Sequence, residues 1–292
     1  MKFSKKLLDV IFRIISPRRM LLSAFQNPPR RNAVLSMKLV FGRQSINEIR
    51  TRGHSLITFA PQQKKSALHI VYLHGGAYVW QGTWFHWKFV KTIARKAGCR
   101  ATCVDYPKAP EHSYVQTFKM LEDGFTKLTQ QYPLDRFVFM GDSSGGGLAL
   151  AFAQKLAEMD FPVQPEKLIL LSPWLDITME NPEIAQVEEL DSMLTLEGLR
   201  GAADLYADGD DKSHYLLSPI NGNLKGLGDV SVYIGTHDIL WPDCKLFQEK
   251  AAKAGKKIAL HVYDGMPHTF MLFPLPESRD VEKRIIDTLT DS

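Results

Sequence analysis

The chain is expected to adopt an α/β fold, with a mostly parallel central sheet covered by helices on both faces. Two observations favour this class. Short apolar runs alternate along the 292 residues with longer segments in which apolar residues recur at helical spacing. In addition, every stretch of unusual composition follows one of the apolar runs. A hydrophobic content of 45% and a charged content of 23% are typical of a globular protein.

Strands and helices are predicted from this alternation, in order along the chain. The pattern indicates strands over residues 45–50, 55–59, 67–73, 100–104, 136–140, 167–171, 229–234 and 258–263. It indicates helices over residues 87–97, 114–131, 148–159, 194–206, 242–254 and 276–289. Residues 177–216 are polar and helical in patches, and they lack a strand. They therefore interrupt the alternation as an insert between the sixth and seventh strands.

The residues that follow the strands are chemically distinctive. In parallel sheets, ligands gather at the carboxyl ends of the strands, and this is where these residues would meet. The stretches concerned are His74-Gly-Gly, Asp105 onward, Ser143, Asp176, Asp238 and His268. Their shared position predicts one functional site at this edge of the sheet.

Ser143 lies at the centre of Gly141-Asp-Ser-Ser-Gly145, between the fifth strand and a helix. A G-x-S-x-G sequence alone is a weak pattern, because turns rich in Gly and Ser are common. Between a strand and a helix it predicts a sharp turn that exposes the serine Oγ in a strained backbone conformation. The helix that follows would direct its free N–H groups at an anion formed there. Ser143 is therefore the candidate nucleophile.

A serine nucleophile needs a base and an acid that orients the base, and in this architecture the chain order is Ser, acid, His. The histidines after Ser143 are His214, His237, His261 and His268. His268 is the candidate base because it alone follows the last strand in a loop containing Gly and Pro. The candidate acid is Asp238, which follows the seventh strand.

Two other acids are alternatives to Asp238. Asp176 follows the sixth strand, where some hydrolases of this architecture carry the acid. Asp243 follows Pro242 in the first turn of a predicted helix, where free N–H groups favour an acid without any catalytic role.

The oxyanion of acyl transfer needs preorganised backbone donors. Gly75 and Gly76 after the third strand, together with the N–H of Ser144, are the candidates. A simple tight turn is the alternative interpretation of His-Gly-Gly. Aromatic residues follow this loop, and Tyr78, Trp80 and Trp84 are candidates for the substrate pocket, with ordinary core packing as the alternative.

The cysteines and the charge limit the other classes of function. Cys99, Cys103 and Cys244 are too few and too scattered for a disulfide framework, which favours a reducing compartment such as the cytoplasm. The net charge of +4 is too small to indicate a nucleic-acid partner. The sequence does not determine the oligomeric state, and a dimer is compatible with it.

The N-terminal segment 1–31 carries eight Lys and Arg against one Asp, a net +7, so the rest of the chain has a net charge of −3. Apolar residues at helical spacing in residues 1–16 predict an amphipathic helix, which is too short and too charged to span a bilayer. Asp9 and Arg13 argue against a signal peptide. We favour a helix that covers part of the protein, and contact with an anionic lipid surface is the alternative.

The motifs together resemble the hormone-sensitive-lipase family of α/β-hydrolases, bacterial family IV. The resemblance runs from about residue 45 to the C-terminus and rests on the following motifs: His74-Gly-Gly-Ala, Asp105-Tyr-Pro-Lys-Ala-Pro-Glu, Gly141-Asp-Ser-Ser-Gly-Gly, Ser172-Pro-Trp-Leu-Asp and Gly265-Met-Pro-His-Thr-Phe. Ala77 departs from the family's third glycine, and Ser144 departs from its usual alanine.

The resemblance implies a serine carboxylesterase that acts on small-molecule esters of short or medium acyl length, without a metal or a cofactor. It also implies a helical cap built from residues 1–44 and 177–216, on a catalytic domain spanning residues 45–292. An amidase or a sugar or aryl deacetylase would use the same machinery. A ligand-binding protein on an inactive hydrolase fold is a further alternative, which the presence of both Ser143 and His268 disfavours.

Overall fold

The computed structural model describes residues 33–42 and 46–290, and within them one eight-stranded sheet has the order β1-β2-β4-β3-β5-β6-β7-β8. The first two strands are antiparallel to their neighbours and the remaining strands are parallel. The strands are β1 (Ile46–Thr51), β2 (His54–Phe59), β3 (Leu68–Leu73), β4 (Arg100–Asp105), β5 (Arg136–Asp142), β6 (Lys167–Leu171), β7 (Asp229–His237) and β8 (Ile258–Pro267). The mostly parallel sheet predicted from the sequence is confirmed.

Helices cover both faces of the sheet and enclose two apolar cores. One core packs helices α1 (Ala33–Phe41), α2 (Trp84–Ala97) and α8 (Pro276–Thr290). The other core packs helices α3 (Tyr114–Gln131), α4 (Ser144–Glu158), α6 (Leu196–Ala207) and α7 (Trp241–Lys253), with the short helix α5 (Ile184–Glu188) beside them. Strands buried on both faces explain the dense apolar runs of the sequence.

The helix after Ser143 begins at Ser144, directly after the serine as the turn motif predicts, and its apolar run starts at Leu148. A glycine run is a poor helix former, yet Gly145 to Gly147 lie in the first turn of this helix. Close packing explains these glycines. A Cβ atom on Gly145 would lie 2.1 Å from the carbonyl oxygen of Leu73, and one on Gly147 would lie 2.0 Å from that of Trp174. Glycine lets this helix approach the neighbouring strand ends.

The last two strands extend further than predicted and carry the chain to the candidate site. The sequence pattern ends them at residues 234 and 263, whereas β7 continues to His237 and β8 to Pro267. Their pairing resumes after a register shift, with His237 opposite Pro267. Gly235 pairs with Tyr263 just before this shift, and Gly265, which the sequence pattern places in the loop after the last strand, lies within β8. The extension places Asp238 and His268 directly after neighbouring strand ends.

Helix α1 packs on the sheet rather than on the insert. Its residues Ala33, Met37 and Phe41 are buried in the core with β2 and α2, and the Phe41 ring stacks on Phe59. The predicted amphipathic helix of residues 1–16 and the rest of segment 1–32 lie outside the described residues. No helix in the described part of the chain is both long and apolar enough to cross a membrane.

Candidate active site

Ser143 occupies a sharp turn between β5 and α4. Its φ of 53° lies in the region that non-glycine residues rarely adopt. The turn is held on both sides: the Ser143 N–H donates to the Leu171 carbonyl at 2.9 Å, and its carbonyl accepts from the Trp174 N–H at 2.9 Å. The strained serine predicted from the G-x-S-x-G sequence is therefore present.

Two hydrogen bonds connect Ser143, His268 and Asp238. His268 Nε2 lies 3.0 Å from Ser143 Oγ, and His268 Nδ1 lies 2.9 Å from Asp238 Oδ2. All three side chains are buried, and Ser143 is the most exposed of them at 7%. Neighbouring parallel strands supply the three residues, because β5, β6, β7 and β8 are adjacent in the sheet.

The charges around His268 favour its protonated form. Burial by itself would lower the pKa of His268, but the Asp238 charge and hydrogen bond outweigh it, with smaller contributions from Asp191 and Asp142. The pKa of His268 is consequently raised above its ordinary value of about 6.5.

We expect kcat/KM to fall as the pH drops through a midpoint above about 6.5, because a base must be neutral and the pKa of His268 is raised. Hydrolysis of p-nitrophenyl acetate, followed from pH 5 to pH 9, measures this midpoint. Circular dichroism at each pH serves as the control for unfolding. A flat profile of a folded enzyme, or a midpoint below 6.5, would contradict the assigned base.

The alternative acids make other contacts. Asp176 Oδ1 accepts from the N–H and hydroxyl of Thr178 and from the Ser218 hydroxyl. Asp243 Oδ1 accepts from the Asn181 amide at 2.8 Å, and burial raises the pKa of Asp243 to about 7. Both acids thus hold the insert in place. Of the alternative histidines, His261 stacks on Tyr233 within the sheet.

The free N–H groups in the loop after β3 differ from the oxyanion donors expected from the sequence. The Gly75 N–H donates to Asp142 Oδ1 at 2.9 Å, so it is engaged and unavailable to an oxyanion, and its assignment as a donor is wrong. Within the described residues, the N–H groups of Gly76, Ala77 and Ser144 have no hydrogen-bond partner. Ala77 adopts a positive φ of 51°, a conformation for which glycine is better suited. The third residue of the loop therefore keeps the glycine conformation despite the alanine.

Asp142 anchors this loop, as expected for an acid with a structural role. It accepts from the Tyr72 hydroxyl and the Gly75 N–H, and it lies 3.3 Å from His86 Nε2. Burial alone would raise the pKa of Asp142, but His86 and the hydrogen bonds lower it overall. Sequence reasoning missed His86. Its only local signal is the Thr83-x-x-His86 spacing, in which the two residues form the capping box of α2.

A cavity of about 220 Å³ opens onto Ser143 and His268. Its other walls are mainly apolar and are formed by the following side chains: Trp80, Phe85, Met193, Leu194, Leu272 and Phe273. A larger cavity of about 620 Å³ lies beside Gln154 and Tyr215, away from these catalytic candidates.

Of the three aromatic residues predicted to border the pocket, the structure places one there. Trp80 lines the cavity. Tyr78 is 1% exposed, and its ring stacks on that of Tyr206 with the ring centroids 3.9 Å apart. Its assignment to the pocket is therefore wrong, and core packing explains the residue. Trp84 is 51% exposed and lies outside the described cavity wall, so its assignment is also wrong. The Tyr78 backbone, like that of Ala77, adopts a positive φ, here of 63°.

Comparison with known proteins agrees with this geometry. A family model described as alpha/beta hydrolase fold matches residues 70–272. An esterase from Acinetobacter venetianus is 31% identical over 226 residues, covering 76% of this chain and 74% of that protein. An acetyl-hydrolase from Streptomyces hygroscopicus is 27% identical over 256 residues, covering 86% and 85% of the two chains.

Solved structures give the same result over the whole chain. The crystal structure of an esterase from the bacterial hormone-sensitive lipase family superposes with a TM-score of 0.81 at 26% identity, covering 100% of this chain and 99% of that one. The arrangement of the strands, the turn at Ser143 and these relatives point to a single assignment. The chain belongs to the hormone-sensitive-lipase-like family of α/β-hydrolases and is a carboxylesterase.

Proposed function

We propose that this carboxylesterase works through Ser143 as nucleophile, His268 as general base and Asp238 as the acid that orients the base. The observation that carries the proposal is the pair of hydrogen bonds on one imidazole, 3.0 Å from Nε2 to Ser143 and 2.9 Å from Nδ1 to Asp238. With Nδ1–H held by Asp238, Nε2 is free to accept the proton of the serine hydroxyl.

In the first half of the reaction, Ser143 Oγ attacks the ester carbonyl carbon while His268 takes its proton. The resulting oxyanion would accept hydrogen bonds from the N–H groups of Gly76, Ala77 and Ser144. The C–O bond to the alcohol then breaks, and His268 returns the proton to the leaving oxygen. In the second half, His268 takes a proton from a water molecule, which attacks the acyl carbon of the acyl-enzyme. The bond from that carbon to Ser143 Oγ then breaks, and His268 returns the proton to Oγ, which releases the carboxylic acid and the free serine.

The size of the cavity favours substrates with short acyl groups, within the proposed short- to medium-chain range. Its volume of about 220 Å³ is smaller than that of ordinary ligand pockets, which hold about 300–1,000 Å³. The similarity to an acetyl-hydrolase supports the same size class. The apolar walls suit the hydrocarbon part of an ester, whereas the three N–H groups suit its carbonyl oxygen.

We further propose that the insert 177–216 and residues 1–32 of the N-terminal segment 1–44 form a cap over the catalytic domain, residues 45–292. Helix α1 of that segment does not belong to the cap, because it packs on the sheet. Met193 and Leu194 of the insert line the cavity, which supports the first part. The Ala33 N–H donates to Gln81, a cavity residue, so segment 1–32 joins the described chain near the cavity. Contact of residues 1–31 with lipid, a cytoplasmic location and a dimer stay predictions.

Replacing Met193 with alanine should shift the preference toward longer acyl chains, because it enlarges the cavity. The ratio of kcat/KM for p-nitrophenyl octanoate to that for the butanoate should rise roughly tenfold, the scale of a changed methylene in a pocket. The matched control is Leu190→Ala in the same insert, where the side chain is 50% exposed. An unchanged ratio in Met193→Ala would argue against this wall. Parallel assays with p-nitroacetanilide test the amidase alternative.

A further inference from the structure

The insert contains a buried carboxylate that the proposed mechanism does not use. Asp191 follows helix α5 and is 1% exposed. Its Oδ1 accepts from the N–H groups of Met193 at 2.7 Å and Leu194 at 2.9 Å. Its Oδ2 accepts from the N–H of Ile239 at 2.8 Å. One side chain therefore joins the insert to the loop after β7, which lies 48 residues further along the chain.

The loop held in this way carries the proposed catalytic acid. Ile239 directly follows Asp238, and the next N–H, that of Leu240, donates to Asp238 Oδ1 at 3.0 Å. The other oxygen of Asp238 faces His268 Nδ1. The N–H groups of Ile239 and Leu240 thus donate to two different carboxylates, and the bond to Asp191 is one of the contacts that hold the loop of Asp238 in place.

The charge of Asp191 is costly at this place. Burial raises the pKa of Asp191 to about 6, and the negative charge of Asp238 adds to the rise. Each of its three described bonds comes from a donor, as an ionised carboxylate requires. A buried acid beside a second acid opposes folding at neutral pH, and such unfavourable residues concentrate at functional sites.

We propose that Asp191 is a positioning residue for ester hydrolysis, fixing the Asp238 loop to the cavity wall and placing a second negative charge near His268. The proposal rests on the roles assigned above to Ser143, His268 and Asp238. The charged groups acting on His268 are Asp238 after β7, Asp191 in the insert and Asp142 at the end of β5.

The same contacts connect the substrate wall to the catalytic loop. Met193 and Leu194 line the cavity, and their N–H groups are held by the carboxylate that also holds Ile239. A displacement of the insert would therefore move Asp238 relative to the imidazole. Misplacement by about 1 Å can reduce a rate by about 100-fold, so a small loss of order here is measurable.

The test replaces Asp191 with asparagine, which keeps the size of the side chain and removes its charge. We expect kcat on p-nitrophenyl acetate to fall about 10- to 100-fold with little change in KM. The amide oxygen of Asn can still accept from Met193 and Leu194, whereas its NH2 group cannot accept from Ile239, so the loss falls on the loop of the acid and not on the cavity wall. The acid-side midpoint of kcat/KM should move to lower pH by roughly half a unit or more, because a negative charge that raises the pKa of His268 is removed.

The matched control is Asp243→Asn. Asp243 is also buried and also bonds to the insert, through Asn181, but it does not contact the Asp238–Leu240 loop by a described hydrogen bond. It should lower kcat much less than Asp191→Asn and should not move the pH midpoint, because Asp243 is not among the charges that act on His268. Asp191 and His268 are both buried, so salt screens the interaction between their charges only weakly. The shift of the pH midpoint in Asp191→Asn should therefore persist in 0.5 M NaCl.

Two results would overturn the proposal: a kcat within twofold of wild type with an unmoved midpoint, or equal losses in Asp191→Asn and Asp243→Asn. If Asp191→Asn does not fold, the same measurements are made on Asp191→Ser, whose hydroxyl can still accept one N–H. Failure of both variants to fold would make Asp191 a purely structural residue. A wild-type profile without an acid limb would instead contradict the role of His268 itself.

Discussion

Replacement of Ser143 by alanine is expected to lower kcat about 10⁴- to 10⁶-fold on any ester that the wild-type enzyme hydrolyses. The reason is that the variant has no Oγ atom to form the acyl-enzyme, while the proposed oxyanion donors, the N–H groups of Gly76, Ala77 and Ser144, are unchanged. The variant should therefore still hydrolyse the ester somewhat faster than the uncatalysed reaction in water. Steady-state hydrolysis of p-nitrophenyl acetate measures the loss.

Ser144 provides the control, because it is the neighbouring serine and its Oγ accepts the Tyr78 N–H at 3.3 Å. Ser144→Ala should keep the rate within about tenfold, since its backbone N–H is unchanged. A fluorophosphonate probe, analysed by mass spectrometry, should label Ser143 in the wild type and fail to label Ser143→Ala. Labelling of Ser144 would contradict the assigned nucleophile.

Replacement of Asp238 by asparagine is expected to lower kcat about 10³- to 10⁴-fold, as loss of the acid does in other serine hydrolases. The amide oxygen would keep accepting from the Leu240 N–H, which turns the NH2 group toward His268 Nδ1. Nδ1 would then have to accept, so Nε2 would carry the proton and could not act as the base. The variant also loses the charge that contributes most to raising the pKa of His268. Its remaining activity should accordingly have an acid-side midpoint at lower pH.

Asp176→Asn is the comparison variant, because Asp176 also follows a strand of the same sheet edge but bonds to Thr178 and Ser218. It should lower the melting temperature and leave kcat within about tenfold. If Asp176→Asn lost most of its activity and Asp238→Asn kept most of it, the catalytic acid would be Asp176, after the sixth strand, and not Asp238, after the seventh.

The sequence by itself determined the class of fold, the family and the candidate triad. These depend on local patterns: the alternation of strand and helix periodicities, a serine between a strand and a helix, and a histidine after the last strand. In a parallel sheet all strand ends of one kind lie at one edge, so residues far apart in sequence can be brought together by topology alone. The hydrogen bonds from His268 to Ser143 and Asp238 span 125 and 30 residues, yet each partner was identifiable from its place after a strand.

Only the tertiary structure decided which groups around the triad are free, buried or charged. The N–H of Gly75 is not free, because it donates to the side chain of Asp142, which lies 67 residues further along the chain. Tyr78 enters the core against Tyr206, and Asp191 reaches Ile239 across 48 residues. None of these contacts leaves a local pattern, because each depends on how a loop packs against a distant segment. Propensity and periodicity report the neighbours along the chain, whereas the donors, the cavity and the electrostatics of this esterase depend on neighbours in space.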